Sequence, residues 1–170
     1  MTDWPQVIRR HGDGAWKSAC RLLGNEADAA DCLQDAFLAA VQVARREPVD
    51  NWPGLLKRLV TVYGLRRLRQ RRREASRRDS TADPAGLPGQ SGEPAQRAEI
   101  HELAERLKNA LAELPQRHAE VVCLHYLDEM SYEQIARELK ISVNHVGVLM
   151  YRGRAKLREL LDPQRGKDTR

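Results

Sequence analysis

Apolar residues recur at intervals of three and four along most of this chain of 170 residues, and that spacing predicts amphipathic helices. The alternation typical of strands is nearly absent, so we predict an all-α fold. The predicted helices span residues 4–23, 25–47, 54–74, 98–114 and 116–126, followed by two more helices between 131 and 161. Gly24 is expected to end the first helix, whereas Gly12 and Gly14 are expected to weaken, bend or break its middle.

The second predicted helix has two clearly different faces. Its core stripe is predicted to consist of Ala30, Leu33, Phe37, Ala40, Val41 and Ala44. The opposite face carries Asp28, Asp31, Asp35, Leu38 and Gln42. Charge alone favours a solvated face with acids near a helix N-terminus, and the alternative is a docking surface for a basic partner.

The third predicted helix becomes strongly basic in its second half. Between Lys57 and Arg78 there are ten basic residues and a single acid, Glu74. This density follows Trp52 and Tyr63, whose rings could stack on bases, so it suits a nucleic-acid backbone better than an ordinary solvated run.

Polar and small residues dominate from 76 to 97, and they bury too little surface to order that segment. We therefore predict two small helical domains, at 1–75 and 98–162, joined by a flexible linker at 76–97. A polar tail at 163–170 is expected to fray.

The stretch from 131 to 161 has the pattern of a helix-turn-helix, although an ordinary helical hairpin is the alternative. Ser131 and Gln134 form a capping-box pattern, and Ser142 can cap a second helix after a short connection. The residues predicted to face the core are Val143, Val146, Met150, Gly153, Leu157 and Leu160. The residues predicted to bind DNA are Ser142, Asn144, His145, Val148, Tyr151, Arg152 and Arg154.

The composition excludes several classes of protein but does not by itself identify one. The net charge of +5 permits a polyanionic partner without requiring one. Cys20, Cys32 and Cys123 are predicted to be reduced core residues of a cytoplasmic protein, with no zinc-ligand spacing to the histidines. No apolar run is long enough for membrane insertion, and the first residues do not have the pattern of a signal peptide. Nothing suggests a cofactor, a phosphate loop or a catalytic nucleophile, so an enzyme is unsupported.

Three features in this order resemble an extracytoplasmic-function (ECF) sigma factor, a small class of bacterial transcription initiation factor. They are the acidic helix 28–38, Trp52 with the arginine-rich helix after it, and Leu111–Pro115 followed by the helix-turn-helix. The resemblance implies a sigma region two-like helical bundle in the N-terminal domain and a region four-like helix-turn-helix in the C-terminal domain.

The resemblance also implies partners and site residues. The clamp helices of the largest subunit of core RNA polymerase would be contacted by Asp28, Asp31, Gln34, Asp35 and Leu38. The minus-ten promoter element would be bound and opened by Asp50, Asn51, Trp52, Arg58, Tyr63, Arg66, Arg67 and Arg69. The helix-turn-helix would read the minus-thirty-five element. Family members are often held inactive by an anti-sigma factor.

Two departures from the family pattern affect DNA recognition. The family usually has an asparagine near Val62 and an aspartate near Arg66. It usually has Lys-Ser-Arg where this chain has Gly147, Val148 and Leu149. A free-standing helix-turn-helix regulator is the competing interpretation, but it leaves the acidic helix and the basic helix without a role.

Overall fold

The computed structural model describes residues 2–77 and 94–162, and within these ranges all regular structure is helical. Seven helices follow one another: α1 (Trp4–Leu23), α2 (Glu26–Ala44), α3 (Trp52–Arg77), α4 (Pro94–Glu113), α5 (Gln116–Tyr126), α6 (Tyr132–Leu139) and α7 (Val143–Leu161). The all-α prediction is confirmed.

Local sequence signals explain how the helices begin and end. Asp3 Oδ1 accepts a hydrogen bond from the Gln6 amide at 3.0 Å, and Asn25 Oδ1 accepts one from the Asp28 amide at 2.8 Å. Gly24 ends α1 with a φ of 73°, a conformation that glycine adopts without strain. The expected break at Gly12 and Gly14 is wrong, because α1 runs through both without interruption.

Helix α3 is the centre of the molecule. It packs against α1 and α2 on one side and against α4, α5 and α6 on the other. Its crossing with α1 is close, because a Cβ added to Gly64 would lie 3.3 Å from Leu22 Cγ and closer still to Cδ2. The bundle of α1, α2 and α3 therefore depends on small residues at its crossings.

The buried line of α2 is rotated from the predicted stripe. Ala29, Cys32, Ala36 and Ala40 are buried, so only Ala40 was predicted correctly. The residues predicted to be core but left exposed or half-buried are Ala30, Leu33, Phe37, Val41 and Ala44. The small side chains let α2 approach its neighbours, and the larger Leu33 and Phe37 cover the edge of the core instead.

The thiols of Cys32 and Cys123 behave as core groups. Burial raises the pKa of Cys32 to about 11 and that of Cys123 to about 12. Both therefore stay protonated at neutral pH, and neither suits a nucleophile.

Several helix boundaries in the structure differ from the predicted ones. Trp52, predicted to lie in a loop, is the first residue of α3, and α2 ends at Ala44 rather than 47. Ser76 and Arg77 are helical, as are residues 94–97, so both ends of the predicted linker belong to helices. The rest of that linker, residues 78–93, and the tail 163–170 lie outside the described residues, and the division into domains stays a prediction.

The first half of α4 does not contribute to the core as its apolar stripe suggested. Ile100 is 64% exposed, and Leu103 and Leu107 are exposed as well. Within the described residues the burial of α4 begins at Ala110, and the helices that α4 packs against are α3 and α7. The amphipathic pattern therefore marks a free surface here and not a core contact.

Candidate nucleic-acid and protein interfaces

The acidic face of α2 is exposed at its centre, with Leu38 61% accessible. Asp31 and Gln34 are exposed too, whereas Asp28 and Asp35 are half-buried. Arginines of α3 border this face. Arg67 Nη1 lies 3.4 Å from Asp31 Oδ2, and its Nη2 lies 3.1 Å from Asp35 Oδ2. The face therefore combines an apolar residue with carboxylates whose charge is partly neutralised.

Arg71 adds to this neutralisation, because its guanidinium forms an ion pair with Asp28. Arg67, predicted to bind the minus-ten element, lies on the acidic face in the described chain. The Nε atom of Arg67 is buried and has no hydrogen-bond partner among the described residues, so its N–H donor is unsatisfied.

The segment before α3 is held in a fixed geometry. Asn51 Oδ1 accepts a hydrogen bond from the Gly54 amide at 3.1 Å and so caps α3. Trp52 stacks edge-to-face on Trp4, with 5.4 Å between ring centroids and 77° between ring planes. One edge of the Trp52 ring is consequently covered, while Asp50 and Asn51 remain exposed.

The other predicted minus-ten residues differ in availability. Tyr63 is half-buried and Arg66 is exposed, whereas Arg69 is already engaged. The Arg69 guanidinium donates to the carbonyls of Ala112 and Leu114 at 3.3 and 3.1 Å and to the Gln116 side chain. Burial is the main reason that the pKa of Arg69 is lowered from its usual range. Arg69 thus satisfies carbonyls at the end of α4, which leaves Arg66 as the freer cation.

An open cleft of about 700 Å³ lies between α3 and α5. Its α3 wall carries arginines one or two turns apart, and its α5 wall carries Gln116 and Glu120. The arginines in the lining are Arg66, Arg69, Arg73 and Arg77. This arrangement favours an extended polyanion over a compact small molecule.

The helix-turn-helix follows the predicted caps closely. Ser131 and Gln134 form both hydrogen bonds of a capping box, and Ser142 Oγ accepts from the His145 amide at 3.1 Å. Lys140 makes the turn with a φ of 54°. Helix α7 packs tightly on α5, since a Cβ at Gly153 would lie 2.9 Å from Val122 Cγ2.

The outer face of α7 is available to a partner. Tyr151 is 77% exposed, and the other predicted DNA-binding residues are exposed with it: Ser142, Asn144, His145, Val148, Arg152 and Arg154. Val143 was predicted to face the core but is 41% exposed, and Leu157 and Leu160 are only half-buried. Leu149 is buried instead, because the core stripe of α7 is centred on residues 146–153.

A polar seam, which the sequence did not reveal, joins α1 and α3 to the C-terminal helices. Asp128, after α5, accepts hydrogen bonds from Ser18 and from Arg21, the latter at 3.3 Å. Lys57 Nζ donates to the Asp128 carbonyl at 2.9 Å. Burial is the main cause that raises the pKa of the Asp128 carboxyl.

Glu138 of α6 forms the second part of this seam. Its Oε1 accepts from Asn51 Nδ2 at 2.6 Å, and its Oε2 lies 3.9 Å from Arg58 Nε. Lys140 lies 3.4 Å from Glu47 nearby. Asp128 and Glu138 have no local signal, because each looks like an ordinary acid beside a helix until the tertiary contacts are known.

Residues 2–77 and 94–162 contain neither a metal-ligand cluster nor a membrane-spanning helix. No group of three or more His, Cys, Asp or Glu side chains there could hold a metal ion. None of the described helices combines the length and apolar character needed to cross a membrane.

Comparison with known proteins identifies related chains. The family model described as Sigma-70, region 4 matches residues 104–157. The chain is 31% identical to the ECF RNA polymerase sigma factor SigE of Mycolicibacterium smegmatis, in a match that spans 95% of this chain and 62% of SigE. It is also 31% identical to the RNA polymerase sigma factor CarQ of Myxococcus xanthus, over 91% of this chain and 87% of CarQ.

Solved structures share the fold. The sigma factor RpoE of Bartonella quintana, solved with the anti-sigma factor NepR, has a TM-score of 0.55 at 22% identity and covers 96% of this chain and 99% of that one. CnrH, solved with the cytosolic domain of CnrY, also has a TM-score of 0.55, at 25% identity, and the match covers 94% of this chain and 88% of CnrH.

Proposed function

This chain belongs to the ECF-type RNA polymerase sigma factors, a family of non-enzymatic transcription initiation factors, and from that premise we propose how its surfaces divide the work. The outer face of α2 binds the clamp helices of the largest subunit of core RNA polymerase. Residues 50–52 and α3 bind the minus-ten promoter element and promote its opening. The outer face of α7 contacts the minus-thirty-five element, and the protein works in the cytoplasm with the polymerase.

The observation that carries this proposal is Leu38, an apolar side chain 61% exposed among Asp31, Gln34 and Asp35 on α2. An exposed leucine within a charged face is typical of a protein interface, in which the apolar contact provides affinity and the charges provide orientation. A free-standing DNA-binding regulator has no use for such a face, so that alternative is not favoured.

Opening the minus-ten element requires bases to leave the stack, which costs a few kcal/mol per base. Phosphate contacts and stacking offset that cost. Tyr63 and Arg66 are the available groups on this side of α3. Asn51 and Arg58 would first have to release Glu138, and Arg67 and Arg69 would have to release their own partners. Arg58 Nε has no hydrogen-bond partner among the described residues, and such a donor fits an interface completed by a polyanion.

An anti-sigma factor is a further proposed partner. RpoE, which shares the fold, was solved with the anti-sigma factor NepR, and CnrH, which shares it too, was solved with the cytosolic domain of CnrY. The exposed apolar residues Ile100 and Leu103 of α4 give this chain a surface on which such a protein could pack.

The polymerase contact is tested with variants of the α2 face. Leu38→Asp removes the exposed apolar contact and breaks no ion pair of the described chain, so folding should be unchanged. Asp31→Arg with Asp35→Arg reverses the charge but also places cations beside Arg67. Both variants should lose co-purification with core polymerase and run-off transcription, while helix content by circular dichroism stays the same.

The matched control is Asp13→Arg with Glu99→Arg, which changes net charge equally at two exposed positions away from α2. This control should retain binding to core polymerase. Binding of wild-type strength by Leu38→Asp and by the α2 double variant would show that another surface docks the polymerase.

A further inference from the structure

The carboxylate of Glu138 occupies the start of α3 in the way that an anion occupies a binding site. It receives a hydrogen bond from Asn51 Nδ2 at 2.6 Å and lies 3.9 Å from Arg58 Nε. It also lies directly over Gly54, where an added Cβ would be 2.7 Å from Glu138 Cδ. The side chain is only 11% exposed, so α6 has inserted it into the first turn of α3.

The same groups would suit a phosphate of a nucleic-acid strand. The first turn of a helix favours negative charge, and a side-chain amide and a guanidinium are common phosphate donors. Both Asn51 and Arg58 are among the residues proposed above for the minus-ten element. Glu138 therefore stands where a DNA phosphate would stand.

We propose that Glu138 masks the minus-ten site of the free chain, so that the helix-turn-helix domain blocks single-strand binding until α6 leaves α3. This inference rests on the proposed function, because it regulates the same site. Lys140 with Glu47 and Asp128 with Arg21 hold the same seam closed beside it. We call this arrangement the closed chain.

Glu138 covers the proposed minus-ten site but leaves the DNA-binding face of α7 uncovered. Tyr151 and Val148 remain exposed on the outer face of α7 in the closed chain. The free protein should thus be able to contact duplex DNA with α7, while Glu138 keeps a single strand from the start of α3.

The masking contact is also built to be released. Burial raises the pKa of the Glu138 carboxyl, with Asn51 and Arg58 opposing that shift, so the ionised group gains little by staying buried. Arg58 Nε has no hydrogen-bond partner in the closed chain although it lies near Glu138. A phosphate oxygen could accept a hydrogen bond from Arg58 Nε. Replacement of the Glu138 carboxylate by a DNA phosphate at this position would then be favourable.

The test measures binding of a fluorescein-labelled random 12-nucleotide DNA strand to the full chain without polymerase. Glu138→Ala removes the mask, and Glu138→Gln removes its charge while keeping its size. Glu133→Ala is the matched control, because Glu133 lies on the same helix, is exposed, and carries the same charge. Circular dichroism and thermal unfolding establish that all three variants are folded.

Glu138→Ala should bind the strand about tenfold more tightly than Glu133→Ala, the size expected when a charged hydrogen bond is freed. The slope of log affinity against log salt should steepen by about 0.7, the value for one more phosphate contact on a single strand. Glu138→Gln should show part of this gain. Equal affinities for the Glu138 and Glu133 variants would overturn the inference.

Run-off transcription with core polymerase separates this inference from the proposed function. If transcription succeeds while the Glu138 variants hold the strand no better than the control, masking is wrong and the proposed function stands. If transcription fails and no variant binds the strand, the proposed function itself has failed, and the masking inference falls with it.

Discussion

Helix α3 meets its neighbours through two different kinds of contact. Toward the buried sides of α1 and α2 it presents small and apolar residues, and Arg67 and Arg71 add ion pairs with the acidic face of α2. Gly64 lies so close to Leu22 that no side chain fits between them. Toward α4, α5 and α6 it also presents charged side chains, with Lys57 and Arg58 engaged in the polar seam and Arg69 engaged at the end of α4.

The difference matters because the two contacts respond differently to a new partner. Apolar surface has no alternative partner in water, so the bundle of α1, α2 and α3 stays together whenever the chain is folded. Charged groups can exchange one another for water, phosphate or a protein surface at little net cost. We therefore expect any change of shape that leaves the helices folded to take place at the seam.

The largest expected effect comes from overfilling the tight crossing. Gly64→Ala would force a methyl group against the buried Leu22, at a cost of about 1–3 kcal/mol in the free energy of unfolding. Gly147→Ala is the matched control, because a Cβ at Gly147 in α7 meets nothing within 4 Å. That control should gain about 0.5–1 kcal/mol from its higher helix propensity.

The free energy of unfolding of both glycine variants is measured by urea unfolding and compared with that of the wild type. Equal shifts of the unfolding midpoint would mean that the α1–α3 crossing is loose, and the contrast between bundle and seam would lose its basis.

A smaller loss in the free energy of unfolding is expected at Arg69, which ties α3 to the end of α4 and to α5. Arg69→Lys keeps the charge but cannot reach three acceptors at once, so stability should fall by about 1–2 kcal/mol. Arg66→Lys, on the same helix and exposed, should change stability by less than about 0.5 kcal/mol. An equal response of the two variants to urea would show that the fork of Arg69 contributes nothing to holding α4 and α5 on α3.

The outer face of α7 differs from the polar seam because its side chains are exposed and free to contact DNA. Lysine and arginine are absent from 147–149, so we expect weak discrimination at the minus-thirty-five element, with most specificity supplied by the minus-ten side. Scrambling the upstream element should change wild-type initiation little. Gly147→Lys should make initiation depend on that element by about 1 kcal/mol, near the lower limit for a specific base contact. Abolition of wild-type initiation by scrambling would mean that α7 already reads its element well.

Patterns that depend on neighbouring residues were predictable from the sequence. The capping box at Ser131, the stop at Gly24 and the exact span of α5 each follow from contacts within a few positions of the chain. The exposure of Leu38 followed in the same way, because a helical wheel separates it from the core stripe.

Features that depend on distant residues were not predictable. The buried side of α2 turned from Leu33 and Phe37 to Ala29 and Cys32, because the approach of α3 and not hydrophobicity decides which side chains fit. Asp128 and Glu138 acquire their roles from residues more than 70 positions away. Single-sequence periodicity contains no information on those partners.

The smallest expected effect is the pH dependence of the seam. Burial raises the pKa of both Asp128 and Glu138 despite the cations that face them, which are Lys57 and Arg21 for the first carboxyl and Arg58 and Arg137 for the second. Between their ordinary and their raised pKa values, these groups bind more protons in the folded chain than in the unfolded one. Their contribution to stability therefore falls as pH rises through that window, opposite to the behaviour of a simple salt bridge.

The comparison that isolates this effect is the wild type against the double variant Asp128→Asn with Glu138→Gln, unfolded in urea from about pH 4 to pH 7. Other titrating groups are common to both proteins, so they cancel in the difference. The free energy of unfolding of the wild type relative to the variant should decrease as the pH rises. A relative stability that increases with pH would mean that ion pairing outweighs burial at these carboxylates, and the seam would then be a permanent contact like the apolar crossing.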